Sequence, residues 1–329
     1  TQNEMIEFYN LKGLTSHKLQ NFRGAFGSYS KMNNIVKTLP NFNDKARIEY
    51  IEQYKNQLDV LKNVGHTIKP SLSSSGEGLV FLVGFPRSGT TLLDTILRTS
   101  SSTVVMEEKP YLAETKKYFY SVHSQHITNS NISKDLLQMT SNIYYDKIKK
   151  EFPTLNKIVV DKFPLNMLEV PFIHQVFPNA KVICALRHPL DCILSCFTQN
   201  FQMNSAMANF ASLSDSAVLY DLCFQTLTTY AEKASSEIIF VRYENVVSNM
   251  QEELTTALAK IGLNWDDSML NFYNTALDRG NINTPSYHQV SKPIYKDSVY
   301  KWKPYAKELK SIADFINPWC IRLNYEVLQ

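Results

Sequence analysis

The chain has 329 residues, a formal net charge of +3 and a hydrophobic content of 44%, ample for a sizeable core with or without an appendage. Its Lys and Arg residues form no run, which excludes a nucleic-acid footprint, and no apolar stretch approaches a membrane span. Five cysteines, Cys184, Cys192, Cys196, Cys223 and Cys320, show neither a paired framework nor metal-ligand spacing and read as reduced, buried thiols. No basic-then-apolar leader opens the chain, so a soluble, cytoplasmic protein is expected. The chain starts without Met, which leaves an upstream anchor or further repeats open.

Two helices are predicted first, Glu4 to His17 and Asn21 to Val36. Gly13, Ala25 and Tyr29 have a spacing that resembles one tetratricopeptide (TPR) helix pair, and an ordinary helical hairpin satisfies the same pattern. A third helix is expected from Glu49 to Val64. The turn-forming cluster Ser71 to Gly76 then marks a boundary between a helical appendage, 1–75, and a catalytic domain, 76–329.

Leu79 to Gly84 reads as a buried strand, followed by a Gly-bounded loop and a helix that opens on Thr90 and Thr91. Loop N–H groups and the start of a helix together make an anion site. A nucleotide-kinase loop would place Lys where Thr90 stands, whereas here the cation comes earlier, as Arg87. Gly84-Phe85-Pro86-Arg87-Ser88-Gly89-Thr90-Thr91-Leu92-Leu93 resembles the 5′-phosphosulfate loop of sulfotransferases that use 3′-phosphoadenosine 5′-phosphosulfate (PAPS). The loop resembles especially those of the tyrosylprotein sulfotransferases and of bacterial sulfotransferases fused to TPR repeats. The resemblance implies that Pro86, Arg87, Ser88, Gly89, Thr90 and Thr91 bind the cosubstrate.

A second strand, Thr103 to Met106, runs into Glu107 and Glu108. Taken alone these acids suit a solvated helix N-terminus. The resemblance implies instead that Glu108 is the general base, with Glu107 the second candidate. A third strand, Lys157 to Asp161, is followed by Lys162. A kinase reading would assign Asp161 to Mg²⁺; the resemblance places Lys162 at the transferred sulfuryl group, with Asn166 and Phe177-Pro178-Asn179-Ala180 completing the pattern.

The fourth strand, Lys181 to Leu186, is continuously apolar and reads as central and parallel. Arg187 follows it, Pro189 fits the first turn of a helix, and Ser195 stands eight positions after Arg187. In the family this Arg and Ser hold the 3′-phosphate, and a forked guanidinium suits that group. His188 stands where relatives commonly carry Asp. Ser214 to Lys233 is expected to be a core helix. Glu237 to Glu244 reads as the fifth strand and resembles the family's Val-Arg-Tyr-Glu segment, which implies that Tyr243 packs near the adenine. An amphipathic helix is expected from Val246 to Leu263. The polar stretch from Thr284 to Tyr305 resembles the family's closing segment, in which a Ser and a Lys fifteen residues apart contact the phosphosulfate, a role the resemblance implies for Ser286 and Lys301. Trp302 is expected to anchor that loop.

The fold class expected is α/β, a P-loop-type parallel sheet of about five strands flanked by helices, with an N-terminal helical appendage. The expected function is sulfuryl transfer from PAPS to an acceptor hydroxyl, yielding adenosine 3′,5′-bisphosphate. Glu108, Arg87, Lys162, Ser286 and Lys301 would be catalytic, and Arg87, Arg187, Ser195, Tyr243, Ser286 and Lys301 would join the loop in holding the cosubstrate. No metal is required. The acceptor, a protein tyrosine or a hydroxyl-bearing small molecule, would meet the segments Tyr111 to Lys150 and Gln202 to Asp215. His123 and His126 offer a histidine-base variant and otherwise read as surface residues. A homodimer is compatible with this scheme. The rival readings are a P-loop small-molecule kinase and a non-catalytic TPR-type binding protein.

Overall fold

The structure, a computed structural model, describes residues 1–65, 67–68, 75–124, 126–128, 132–153, 157–278, 290–292 and 298–329. They form two compact units, one of Thr1–Asn56, Arg187–Cys223 and Tyr295–Gln329, the other of Gln57–Leu186 and Phe224–Ile294.

The first unit begins with helices α1 (Gln2–Lys18) and α2 (Phe22–Val36). Thr1 and Glu4 close a capping box at the start of α1, which satisfies N–H groups that a helix end otherwise leaves open. Gly13 of α1 faces the Tyr29 ring so closely that a Cβ there would come within 2.6 Å of it. The small residue is what lets the two helices approach. Helix α3 (Asp44–Asn63) follows, starting five residues earlier than the sequence suggests.

The second unit is built on five parallel strands: β1 (Leu79–Gly84), β2 (Thr103–Glu107), β3 (Ile158–Lys162), β4 (Lys181–Leu186) and β5 (Ile238–Arg242). Their order is β2-β3-β1-β4-β5. Alternation along β1 sends Val80 and Leu82 to one face and Phe81 to the other. Val80 and Leu82 pack with Leu92, Leu93 and Ile96 of helix α4 (Thr90–Leu97) in one buried cluster. Phe81 meets Tyr144 and Phe177, with ring centroids 6.0 and 5.9 Å away. Both faces of β1 are therefore covered, which is why it can be apolar throughout.

Between β2 and β3 lie α5 (Tyr111–Val122) and α6 (Lys134–Glu151), and α7 (Val170–Val176) precedes β4. Helix α8 (Pro189–Phe197) carries Pro189 in its first turn as expected, and α9 (Leu213–Ala234) is the long core helix. The fifth strand is shorter than predicted, because Tyr243 opens a helix, α10 (Tyr243–Ser248). The single helix expected from Val246 to Leu263 is split at Asn249, whose side chain accepts from Glu252 N and starts α11 (Met250–Lys260). All five cysteines are buried and none forms a disulfide. Among the described residues no helix is long and apolar enough to cross a membrane.

Candidate active site

The loop after β1 turns tightly: Ser88 N donates to Phe85 O at 3.0 Å, and Arg87 takes a left-handed φ of 70°. Non-glycine residues are uncommon there, and the conformation persists when the surroundings over-determine it. Gly89 is the N-cap of α4 at φ 105°, and no side chain caps that helix end. The leading N–H groups of α4 are thus donors for an anion. Ser88 Oγ is buried and has no hydrogen-bond partner among the described residues, and a buried hydroxyl of that kind fits a cradle whose ligand supplies the missing oxygen. Tyr243 lies over Gly89, where an added Cβ would come 2.9 Å from its Cδ2. The loop and the candidate base-stacking tyrosine are therefore neighbours.

The carboxylates come from the next strand end. Glu107 is the last residue of β2 and pairs in register with Lys162, the last of β3. Glu108 then takes a φ of 50° and donates its N–H to Lys162 O at 2.9 Å, turning the chain off the sheet. Lys162 is fully enclosed, and its ammonium donates to Glu108 Oε1 at 2.8 Å and Glu107 Oε1 at 3.0 Å. Asp94 Oδ2 on α4 lies 4.0 Å from the same ammonium, and Asp94 also pairs with Arg98 one turn on. One lysine thus links the glutamate pair to the helix behind the phosphate-type loop. Burial pulls the Lys162 pKa down, but Glu108, Asp94 and Glu107 together carry it above the usual lysine value. Burial raises Asp94, opposed by Arg98 and Lys162. Glu108 keeps 41% of its side chain exposed and Glu107 only 15%, so Glu108 is the more solvent-open of the pair.

Asp161, which a kinase reading would give to Mg²⁺, has no exposure at all and accepts from the Tyr144 hydroxyl at 2.5 Å. It shares the Phe81 face of the sheet, so along β3 it alternates with Lys162, which gathers its carboxylates on the other face. Burial pushes its pKa to about 7, against the opposing pull of Tyr144 and Lys162.

In the other unit Arg187 is buried and Ser195 half-buried on α8. The Arg187 guanidinium donates to Ser298 O at 2.5 Å and lies 3.8 Å from Asp191. His188 is the N-cap of α8: its Nδ1 accepts from Leu190 N at 3.2 Å, which leaves Nε2 to donate to Glu326 O at 3.0 Å. Burial lowers its pKa to about 4, so the imidazole stays neutral. Trp302 is buried against the His188 ring, at 5.0 Å between centroids, in the anchoring position expected of it. Lys301 is half-buried in the turn between Tyr300 and Trp302. Ser286 lies outside the described residues.

Of the stretch expected to meet the acceptor, Lys116, Tyr120 and His126 border a shallow surface cleft, with room for little more than a water, that Glu169 also lines. Lys116 Nζ meets both Glu169 oxygens at 2.6 and 2.7 Å. His126 is half-buried rather than a surface group, and burial, aided by Lys116, brings its pKa to about 4, too low for an effective base near neutrality. Sequence reasoning missed Asp94 and Asp191. Asp94 lies four residues before Arg98, the C-cap of α4, a helical spacing that could have revealed that pair, whereas Arg187 precedes α8 and its pairing with Asp191 follows no helix rule.

Residues 80–267, more than half of the chain, match the model of the sulfotransferase family. The chain belongs to that family. This sulfotransferase is 26% identical to an uncharacterized protein of Aquifex aeolicus over 330 residues, covering 92% of this chain and 41% of that protein. It is 21% identical to protein-tyrosine sulfotransferase 1 of Danio rerio over 267 residues, 78% of this chain and 75% of the other. The solved sulfotransferase domain of the Synechococcus PCC 7002 olefin synthase aligns over 74% of this chain and 97% of its own, with a TM-score of 0.49 and 18% identity.

Proposed function

We propose that this chain moves a sulfuryl group from PAPS to an acceptor hydroxyl, a protein tyrosine or a small molecule, with Glu108 as the general base. The observation that carries the proposal is the shared ammonium of Lys162. It holds Glu108 at the end of β2 and reaches Asp94 on the helix that the anion loop begins. A partly exposed carboxylate is thereby fixed beside a lysine and an uncapped helix, the groups that a sulfuryl acceptor reaction needs. Family membership supports the same reading, and the similarity to a protein-tyrosine sulfotransferase supports tyrosine as one acceptor class.

PAPS would supply an activated sulfuryl group whose bond to the phosphate breaks as the acceptor oxygen attacks sulfur. The chain's own part is to bind and to move a proton. Pro86 to Thr91 cradle the 5′ end through loop N–H groups and hydroxyls, and Tyr243 packs against the base. Arg187 and Ser195 hold the 3′-phosphate, while Arg87, Lys162, Ser286 and Lys301 offset charge on the transferring and leaving oxygens. Glu108 takes the hydroxyl proton. A helical appendage over 1–75 and a sulfotransferase domain over 76–329 are part of this proposal; the family match lies inside the second.

Labelled PAPS offered with tyrosine peptides and with a panel of small alcohols tests the reading. Transfer to any of them supports it. Thermal stabilisation by ATP with Mg²⁺ but not by adenosine 3′,5′-bisphosphate would overturn it in favour of a kinase.

A further inference from the structure

Asp191 has 1% of its surface exposed and stands in the first turn of α8. Both of its oxygens are committed to one short segment far along the chain: Oδ2 accepts from Tyr300 N at 2.8 Å and Oδ1 from Trp302 N at 2.9 Å. Lys301 lies between those two amides. Pinning the backbone N–H on each side of a residue fixes its Cα–Cβ direction, because only two soft dihedrals per residue remain to turn it. Tyr300 adopts a left-handed φ of 55°, a conformation costly for an aromatic residue unless neighbouring contacts impose it. The bond to Asp191 is such a contact. The same carboxylate lies 3.8 Å from the Arg187 guanidinium, which itself donates to Ser298 O just before the pinned turn.

We propose that Asp191 is a positioning residue that sets Arg187 and Lys301 together, so that the two cations present one arrangement to the cosubstrate. The proposal rests on the reading of Arg187 and Lys301 as cosubstrate ligands. His188 reinforces the arrangement by packing its neutral ring on Tyr300 and Trp302, at 5.5 and 5.0 Å between centroids.

The test is calorimetric titration of adenosine 3′,5′-bisphosphate into the wild type, Asp191→Asn, Lys301→Ala, Arg187→Ala and the double variant Asp191→Asn/Lys301→Ala. Asn keeps the shape of Asp but can accept from only one of the two amides and has no charge for Arg187. The expected result is that Asp191→Asn weakens binding roughly tenfold and that most of this loss disappears in the Lys301→Ala background, as for groups in one network. A merely structural Asp191 would lower the melting temperature and leave the contribution of Lys301 intact. Additive losses, or an unchanged affinity in Asp191→Asn while Lys301→Ala and Arg187→Ala both bind weakly, overturn the proposal alone. If Lys301→Ala and Arg187→Ala bind as tightly as the wild type, the ligand reading itself falls and takes the proposal with it. Hydrogen exchange on the wild type covers the case of a poorly folding variant: the Tyr300 and Trp302 amides should be protected, and more so with adenosine 3′,5′-bisphosphate. Free exchange at both would overturn the proposal.

Discussion

The Lys162 ammonium and the Glu108 carboxylate meet at 2.8 Å, the first fully enclosed and the second open to solvent. The lysine is held in place by three carboxylates, and the glutamate is held by the lysine and by a backbone bond to it. A carboxylate whose position is set from inside the protein is already ordered for the role proposed for Glu108.

Glu108→Gln preserves shape and hydrogen bonding to Lys162 but removes the proton acceptor. Binding of adenosine 3′,5′-bisphosphate should stay near normal while turnover falls by roughly a hundredfold or more. Rate measurements at saturating PAPS check this; unchanged turnover removes Glu108 from the chemistry.

Lys162→Met takes the shared ammonium away from Glu107, Glu108 and Asp94, leaving buried Asp94 to its pair with Arg98. Breaking a buried pair in this way costs about 3–5 kcal/mol, read as a lower urea midpoint at pH 7. Because Asp94, already raised by burial, can take up a proton instead, the deficit should shrink toward pH 5. A deficit equal at both pH values would contradict the arrangement.

Arg187→Ala should weaken adenosine 3′,5′-bisphosphate far more than adenosine 5′-phosphate, since only the first offers a 3′-phosphate to the guanidinium. Competitive titration of both nucleotides decides it, and equal losses would refute the 3′-phosphate role.

At Gly89, φ is 105° and the Tyr243 ring allows no Cβ. Gly89→Ala should therefore destabilise the protein by about 1–3 kcal/mol and loosen the anion loop. Thermal melting with and without adenosine 3′,5′-bisphosphate reports both effects. Retained stability together with retained ligand-induced stabilisation would show that the loop tolerates what this geometry forbids.

Asp161 provides a pH prediction with a definite sign. Its folded pKa of about 7 exceeds the ordinary 3.8, so between those values the native state binds more protons than the unfolded one, and stability falls as pH rises. The contribution is on the order of 4 kcal/mol across that window. His126 and His174, each lowered to about 4 chiefly by burial, act oppositely: their contribution is full above pH 6.5 and is lost as pH falls toward 4. Comparing Asp161→Asn with the wild type cancels the histidines. The variant should gain stability relative to the wild type as pH rises from 4 to 7, and denaturation curves parallel at all pH values would exclude it.

Much of the site was legible because its parts are local. The Gly-bounded loop, the helix that Pro189 starts and the acids after β2 each follow from a few adjacent residues, and Asn249 splits the helix after β5 by ordinary capping, a signal present in the sequence and passed over. Lys162 was different. Read along the chain it is a strand-end cation facing a ligand; its partners, Asp94, Glu107 and Glu108, lie 54 to 68 positions earlier. His188, an apparent departure from the family pattern, turns out to cap α8 through its own ring and to pack on Trp302.

By itself the sequence determined the five strands, the anion loop and the family, because hydrophobic period, turn chemistry and short motifs act over a few residues. Only the tertiary structure decided that β3 lies between β1 and β2, and hence that Lys162 pairs with Glu107 and gathers Glu108 and Asp94. It alone decided that Asp191 binds the turn around Lys301. The reason is physical: which strand inserts where, and which buried carboxylate finds which distant amide, is settled by packing and by the need to satisfy every buried charge, and neither leaves a mark in local spacing.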